Sequence, residues 1–230
     1  MNNRRYDDVS LDMMNPAPRC PVVMLLDTSG SMGGAPINEL NAGLRQFIRE
    51  TADDEAAGMS VELEVITFDS KVNVAMPFTP IADVERTPAP LIASGQTHMG
   101  EALKVAKRDL QQRRELYRKN GISSYRPWVI LMTDGGPNDD WEIAAREMRE
   151  LGEKGKIQYI GIEIGNAADH NTMCRILPAN SSPVRLQYLN FKIFFRWLTD
   201  SLRSVSSSAV SDQDKVWFGS IRSWADLNNL

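Results

Sequence analysis

Short oxygen-bearing side chains recur in three glycine-containing segments of the sequence, at residues 27–31, 95–100 and 133–136. Five of them are candidate metal ligands: Asp27, Ser29, Ser31, Thr97 and Asp134. Hard oxygen ligands with few charges suit Mg²⁺, with Mn²⁺ or Ca²⁺ as substitutes, and argue against zinc. Because Mg²⁺ keeps several waters, a few side chains can hold it while one coordination position stays open. The sequence therefore predicts a divalent-cation site with an open position.

Predicted strands lie beside these segments. Apolar runs at 21–26 and 128–132 are typical of strands buried on both faces of a parallel sheet. Further strands are predicted at 61–68 and 157–164, with a short one at 184–189. Residues 72–78 instead alternate apolar with polar or small residues. This alternation predicts a half-exposed strand that returns antiparallel at the edge of the sheet.

Helices are predicted where apolar residues recur at spacings of three and four, at 37–48, 98–119, 141–151 and 191–205. We expect Asp139 or Asp140 to cap the helix that begins near Trp141. Strands alternating with helices predict an α/β fold, with an open, mostly parallel sheet, one antiparallel edge strand and helices on both faces. Because ligands of such sheets bind at the carboxyl ends of the strands, Asp27 and Asp134 should lie close together there. Two like charges at that distance are unfavourable unless a cation accompanies them.

Composition excludes several classes of protein. The 230 residues contain 42% hydrophobic and 24% charged residues, which is ordinary globular usage. The net charge of −4 makes nucleic acid an unsuitable partner, and no apolar run is long enough to predict a membrane span. Two cysteines cannot make a disulfide framework, and the acidic N-terminus does not resemble a signal peptide. We therefore expect a cytoplasmic protein.

The chain is expected to hold one domain with two appendages. Residues 1–19 form an N-terminal extension, residues 20–205 the domain, and residues 206–230 a serine-rich linker with an amphipathic tail. Apolar residues of the tail lie at helical spacing: Trp217, Ile221, Trp224 and Leu227. The tail is expected either to dock on a partner or to pack on the domain itself, and the sequence leaves both open.

The three segments, in this order and at strand ends, resemble the metal-ion-dependent adhesion site (MIDAS) of the von Willebrand factor A (VWA) family. The resemblance covers residues 21–205 and implies a Rossmann-like VWA fold. It implies that Ser29, Ser31 and Thr97 are direct or near-direct ligands, and that Asp27 and Asp134 act mainly through bound waters. A carboxylate from a protein partner would then complete the coordination of Mg²⁺, so we expect a binding module and not an enzyme.

Longer stretches at 22–32, 65–70 and 131–141 are similar to the bacterial tellurite-resistance VWA proteins of the TerY type. That resemblance implies a cytoplasmic role in a tellurium-resistance or stress-response system. It also implies that the partner could be a protein kinase or phosphatase from the same gene cluster.

The same residues allow other functions to be considered. A metal-assisted phosphoester hydrolase stays open, with His98 as the obvious general base, and so does a regulatory subunit of a kinase/phosphatase pair. A serine nucleophile is not favoured, because neither Ser29 nor Ser31 has glycine two residues away on both sides. A zinc site is not favoured either, because its four candidate ligands are scattered along the chain: Cys20, His98, His170 and Cys174.

Overall fold

The computed structural model describes residues 11, 14–165, 167–186 and 189–215. Within them, six strands form one sheet in the order β3-β2-β1-β4-β5-β6. The strands are β1 (Cys20–Asp27), β2 (Val61–Phe68), β3 (Val72–Pro80), β4 (Trp128–Thr133), β5 (Gln158–Ile164) and β6 (Val184–Leu186). All neighbours pair in parallel except β2 and β3, which form the antiparallel edge. The predicted fold class is confirmed.

Six α-helices cover the two faces of the sheet in the described part of the chain. They are α1 (Ala35–Ala52), α2 (Glu55–Ser60), α3 (Met99–Lys119), α4 (Glu142–Glu153), α5 (His170–Ile176) and α6 (Phe191–Ser206). Alternate residues of β1 point into opposite cores, since Met24 joins the core under α1 and α6 and Leu25 joins the core under α3, α4 and α5. β1 therefore lies between two separate apolar cores, one on each face of the sheet.

Helices α1 and α6 approach closely because of one glycine. A Cβ atom at Gly43 would lie 2.6 Å from Cδ2 of Phe195, which is closer than carbon atoms pack. Phe195 also contacts Phe47, with 5.7 Å between ring centroids. This packing holds α1 in place, and the loop that precedes α1 carries two of the predicted ligands, Ser29 and Ser31.

Several elements differ from the prediction. The short helices α2 and α5 were not predicted, because six or seven residues are too few to show helical periodicity. Each has an aspartate cap: Asp54 accepts from the backbone N–H of Ala57 at 2.8 Å, and Asp169 from that of Thr172 at 3.1 Å. Strand β6 covers Val184–Leu186 of the predicted 184–189, and residues 187 and 188 lie outside the described residues.

The predicted cap of α4 is wrong. Helix α4 begins at Glu142 with Trp141 at its N-cap, and no side chain caps it. Asp139 instead accepts hydrogen bonds from the first turn of α3, which begins 40 residues earlier at Met99. The carboxylate serves the helix that lies beside it in space and not the one that follows it in sequence.

The ends of the chain complete the description. The last described segment is a 3-10 helix, Val210–Lys215. The predicted amphipathic tail around Trp217 and Trp224 lies outside the described residues, as does most of the N-terminal extension, and the domain boundaries stay predictions. Among the described helices, none combines the length and the apolar character that a membrane span requires.

Candidate metal centre

The three segments singled out in the sequence meet at the carboxyl edge of the sheet. Strands β1 and β4 are neighbours and end side by side, at Asp27 and Thr133. Asp27 is fully buried, and each of its carboxylate oxygens accepts a hydrogen bond. Oδ1 accepts from the backbone N–H of Ser29 at 2.7 Å, and Oδ2 accepts from the hydroxyl of Thr133 at 2.5 Å. Asp27 thus joins the ends of the two central strands.

A chain of side-chain oxygens leads from the first segment to the third. The hydroxyl oxygens of Ser29 and Ser31 lie 3.0 Å apart. The Ser31 hydroxyl donates to Oδ1 of Asp134 at 2.8 Å, which links residues 103 positions apart in the sequence. Four of the five predicted ligands are therefore linked. Side-chain oxygens connect Ser29, Ser31 and Asp134, and Asp27 joins them through the backbone N–H of Ser29. We call the five predicted ligands the oxygen site.

Thr97, the fifth predicted ligand, reaches the same edge through its backbone. Gly30 donates its N–H to the carbonyl of Gly95 at 3.0 Å, which places the second segment against the first. Thr97 is 6% exposed, and its N–H donates to the side-chain oxygen Oδ1 of Asn138 at 3.0 Å. The N–H of Asn138 donates in return to the Thr97 carbonyl at 2.9 Å. Asn138 therefore fixes the backbone of Thr97 from the loop that also carries Asp134.

The residue after Asn138 fixes the start of α3 in a similar way. The two oxygens of Asp139 accept from the backbone N–H groups of Gly100 and Glu101, each at 2.9 Å. Gly100 permits this approach, since a Cβ atom there would lie 2.5 Å from the carbonyl oxygen of Asp140. Sequence reasoning did not single out Asn138, and it assigned Asp139 to α4. His98, the N-cap of α3, makes no side-chain cap, so Asp139 supplies that cap from a distant part of the sequence.

The electrostatics of the oxygen site are unbalanced. Burial raises the pKa of Asp27, and the negative charge of Asp134 adds to the rise, while hydrogen bonds from Thr133 and Ser29 act in the opposite direction. In the described part of the chain, no lysine or arginine forms an ion pair with Asp27 or Asp134. Two nearby carboxylates surrounded by neutral donors form an environment that a divalent cation would stabilise.

The residues fit a hard cation. Adjacent ligands of an octahedral Mg²⁺, each about 2.0–2.1 Å from the ion, lie about 2.9 Å from one another. The spacing of 3.0 Å between the hydroxyl oxygens of Ser29 and Ser31 matches that edge length. All the oxygen-site donors are oxygens, as hard cations prefer.

The four residues of the disfavoured zinc site do not come together. Cys20 is fully buried at the start of β1, whereas His98 follows Thr97 at the carboxyl edge, so the length of β1 separates them. His170 and Cys174 lie together on α5, where the sulfur is 3.5 Å from Nε2 of the imidazole. His98 is half-buried and donates its backbone N–H to the carbonyl of Asp69 at 2.9 Å.

Comparison with known proteins places this geometry in context. The family model of the von Willebrand factor type A domain matches residues 22–192. No curated protein matches the sequence.

Three solved structures are similar in fold. A von Willebrand factor type A protein from Catenulispora acidiphila is 18% identical with a TM-score of 0.64, and the match covers 81% of this chain and 43% of that one. Proximal thread matrix protein 1 (PTMP1) of the mussel byssus, with a zinc-occupied MIDAS motif, is 19% identical with a TM-score of 0.55, covering 81% and 48%. The manganese-loaded TRAP protein of Plasmodium vivax is 21% identical with a TM-score of 0.50, covering 69% and 62%. This chain spans less than two thirds of each.

Proposed function

The chain belongs to the von Willebrand factor type A family, and on that premise we propose that it is a metal-ion-dependent protein-binding module. The oxygen site holds a divalent cation, and a carboxylate of a partner protein completes the coordination of that cation. Ser29, Ser31 and Thr97 are direct or near-direct ligands. Asp27 and Asp134 act mainly through bound waters.

One observation carries the proposal: two carboxylates share the edge of the sheet, and the described residues supply no lysine or arginine that pairs with either. Asp27 and Asp134 are both buried, and the side-chain groups that contact them are neutral hydroxyls. A divalent cation supplies the missing positive charge. Because the surrounding ligands carry few charges, the bound ion keeps enough positive charge to attract one more carboxylate.

The choice of metal follows from the donors. PTMP1 is known with zinc in its MIDAS motif and TRAP with manganese, which supports a divalent ion in general. We propose Mg²⁺ because every donor of the oxygen site is a hard oxygen and because the spacing of the Ser29 and Ser31 hydroxyl oxygens fits its octahedron. Mn²⁺ and Ca²⁺ are expected to substitute.

The setting of the module rests on the TerY-type resemblance. We propose a cytoplasmic protein of a tellurium-resistance or stress-response system, whose partner is a kinase or phosphatase from the same gene cluster. The partner is expected to present an exposed aspartate or glutamate. The net charge of −4 agrees with a protein partner and not with a nucleic acid.

Calorimetric titration with Mg²⁺ and with Mn²⁺ tests the metal. We expect the wild type to take up one ion, and Ser29→Ala and Thr97→Ala to take up none at millimolar concentration while keeping the wild-type fold. Ser94→Ala is the matched control, because the Ser94 hydroxyl bonds to Asp69 at the same edge and lies outside the oxygen site. A wild type that binds neither ion would contradict the proposal.

Capture of a partner from the native host tests the binding role. We expect one protein to bind the wild type in Mg²⁺, to be lost in EDTA and to be absent from Ser29→Ala. A screen with generic phosphate esters in Mg²⁺ discriminates binding from catalysis. Turnover that disappears in Ser29→Ala would replace the binding proposal with a metal-assisted hydrolase.

A further inference from the structure

A second group of reactive side chains lies where β5 leads into α5. Its members are Glu163 at the end of β5 and His170 and Cys174, one turn apart on α5. Nδ1 of His170 is 2.6 Å from Oε1 of Glu163, and Nε2 of the same ring is 3.5 Å from the sulfur of Cys174. The three side chains form a row from a buried carboxylate to an exposed thiol. We call this row the His170–Cys174 site.

The buried end of the row is held firmly. The Glu163 side chain is 1% exposed, and Oε2 accepts from Nη2 of Arg185 at 2.8 Å and from Nε at 3.1 Å. Its other oxygen faces His170, so the ionised carboxylate places the imidazole proton on Nδ1. This tautomer leaves the lone pair on Nε2, the nitrogen that faces the thiol. A carboxylate that orients a histidine in this way is typical of metal-ligating histidines.

The exposed end of the row is open to solvent. The His170 side chain is 50% exposed, and Cys174 is exposed. A metal ion displaces the proton of a thiol when it binds, so an exposed thiol beside an imidazole nitrogen can serve as a metal ligand.

The spacing of the two donors fits one kind of ion. Zinc lies about 2.3 Å from sulfur and about 2.0–2.1 Å from imidazole nitrogen, and at a tetrahedral angle these lengths separate the donors by about 3.5 Å. The observed separation of Sγ and Nε2 is 3.5 Å. We propose that His170 and Cys174 bind a zinc-class divalent ion, with Glu163 as the positioning residue for His170.

The His170–Cys174 site is independent of the oxygen site. Its nitrogen and sulfur donors select borderline-soft ions, whereas the oxygen site selects hard ones. Among the described residues, no cluster of three or more histidine, cysteine, aspartate or glutamate side chains could hold a metal ion. Two protein ligands therefore bind the ion, and water or a partner's side chain completes its coordination.

Cobalt is the probe that separates the two sites. In excess Mg²⁺, which fills the oxygen site, we expect Co²⁺ to give the near-ultraviolet charge-transfer absorbance of a thiolate–metal bond. The absorbance should be lost in Cys174→Ser and in His170→Ala and retained in Ser29→Ala. Glu163→Gln should retain it with about tenfold weaker affinity, because the imidazole is no longer fixed in its ligating tautomer.

Thiol alkylation gives a second readout. Of the two cysteines in the sequence, Cys20 is fully buried and burial raises the pKa of its thiol to about 12, so Cys174 is the one that reacts in the native protein. We expect Zn²⁺ to slow its alkylation at least about tenfold and Mg²⁺ to leave it unchanged. Equal alkylation rates with and without Zn²⁺, or a charge-transfer band that persists in Cys174→Ser, would overturn the proposal. Neither result would bear on Mg²⁺ binding at the oxygen site.

Discussion

Buried carboxylates in two parts of the molecule have different kinds of hydrogen-bond donor. Under α3, the carboxylate of Glu62 on β2 lies among cationic and phenolic donors. Arg113 donates from Nε to Oε2 of Glu62 at 2.6 Å, Arg19 approaches Oε1 at 3.4 Å, and the Tyr117 hydroxyl donates to the same carboxylate. We call these four residues the arginine–glutamate cluster. At the carboxyl edge, by contrast, the donors that the described residues offer to the carboxylates of the oxygen site are hydroxyl and backbone groups.

The difference separates a structural cluster from a binding one. In the arginine–glutamate cluster both carboxylate oxygens of Glu62 face an arginine, so the carboxylate needs no cation from solution. The oxygen site holds two carboxylates and, in the described part of the chain, no basic partner for either. Buried anions without an internal cation are costly, and a bound ion removes that cost. A carboxylate with cationic donors in one place, and two carboxylates without them in another, therefore support the oxygen site as the candidate cation site.

The largest expected effect on stability comes from removing one arginine of the arginine–glutamate cluster. Arg113→Met removes the closer arginine and leaves Glu62 with a buried, partly compensated charge. We expect the free energy of unfolding to fall by about 3–5 kcal/mol, measured by urea denaturation. Arg118→Met is the matched control, because Arg118 pairs with Glu115 on the exposed side of the same helix and should change stability by less than about 1 kcal/mol. Equal losses in the two variants would remove the contrast on which the comparison rests.

The free energy of unfolding is also expected to depend on pH, because the carboxyl group of Glu64 is buried. Burial, with the nearby charge of Asp109, raises the pKa of Glu64 from 4.5 to about 9, and neither of its oxygens has a hydrogen-bond partner. The folded protein therefore keeps a proton that the unfolded chain releases between these two values. Over this range the free energy of unfolding falls by about 1.4 kcal/mol for each pH unit because of this group.

Glu64→Gln should remove that slope. Relative to the wild type, the variant should gain about 2.7 kcal/mol in stability between about pH 6 and pH 8, which is two pH units of the expected slope. Urea denaturation at several pH values measures the difference. A difference between the two proteins that does not change with pH would mean that Glu64 is ionised in the folded protein.

A smaller effect is expected at the loop that supports Thr97. Asn138→Ala removes the acceptor of the Thr97 N–H and leaves all five oxygen-site residues in place. We expect the affinity for Mg²⁺ to fall about tenfold, since groups that orient ligands commonly contribute that much. Asn120→Ala is the matched control, because Asn120 is an exposed residue at the end of α3. Calorimetry measures both, and an unchanged affinity in Asn138→Ala would show that the backbone of Thr97 is held without it.

The smallest effect is expected from Asp27→Asn without metal. Burial raises the pKa of Asp27, so its ionised form is disfavoured in the folded protein, and a neutral amide relieves this cost while still accepting from Ser29. Stability without metal should therefore rise, by less than about 1 kcal/mol because the bond to Thr133 weakens. The stabilisation by Mg²⁺ should vanish. Thermal denaturation with and without Mg²⁺ measures both, and a large loss of stability without metal would show that the charge of Asp27 is balanced within the fold.

Local sequence patterns were enough to predict most of the sheet and its long helices. The apolar runs of β1 and β4 placed Asp27 and Asp134 at one edge, because parallel neighbours end on the same side. The supporting contacts were not predictable in this way. Asn138 bonds to Thr97 across 41 residues and Asp139 to Gly100 across 39, and no local pattern encodes such a pair. His170 and Cys174 are one helical turn apart, but α5 is too short for helical periodicity in the sequence to predict it.

The link between Ser31 and Asp134 also has a consequence for the order in which the protein is made. The two residues are separated by 103 positions, and β4 and the loop after it must be present before the oxygen site can close. A chain still being synthesised carries Asp27, Ser29 and Ser31 long before it carries Asp134. Contacts this distant in sequence form late, because the intervening chain must first be ordered. On the proposed function, a chain that has not yet reached Asp134 lacks part of the metal site and cannot compete for the partner.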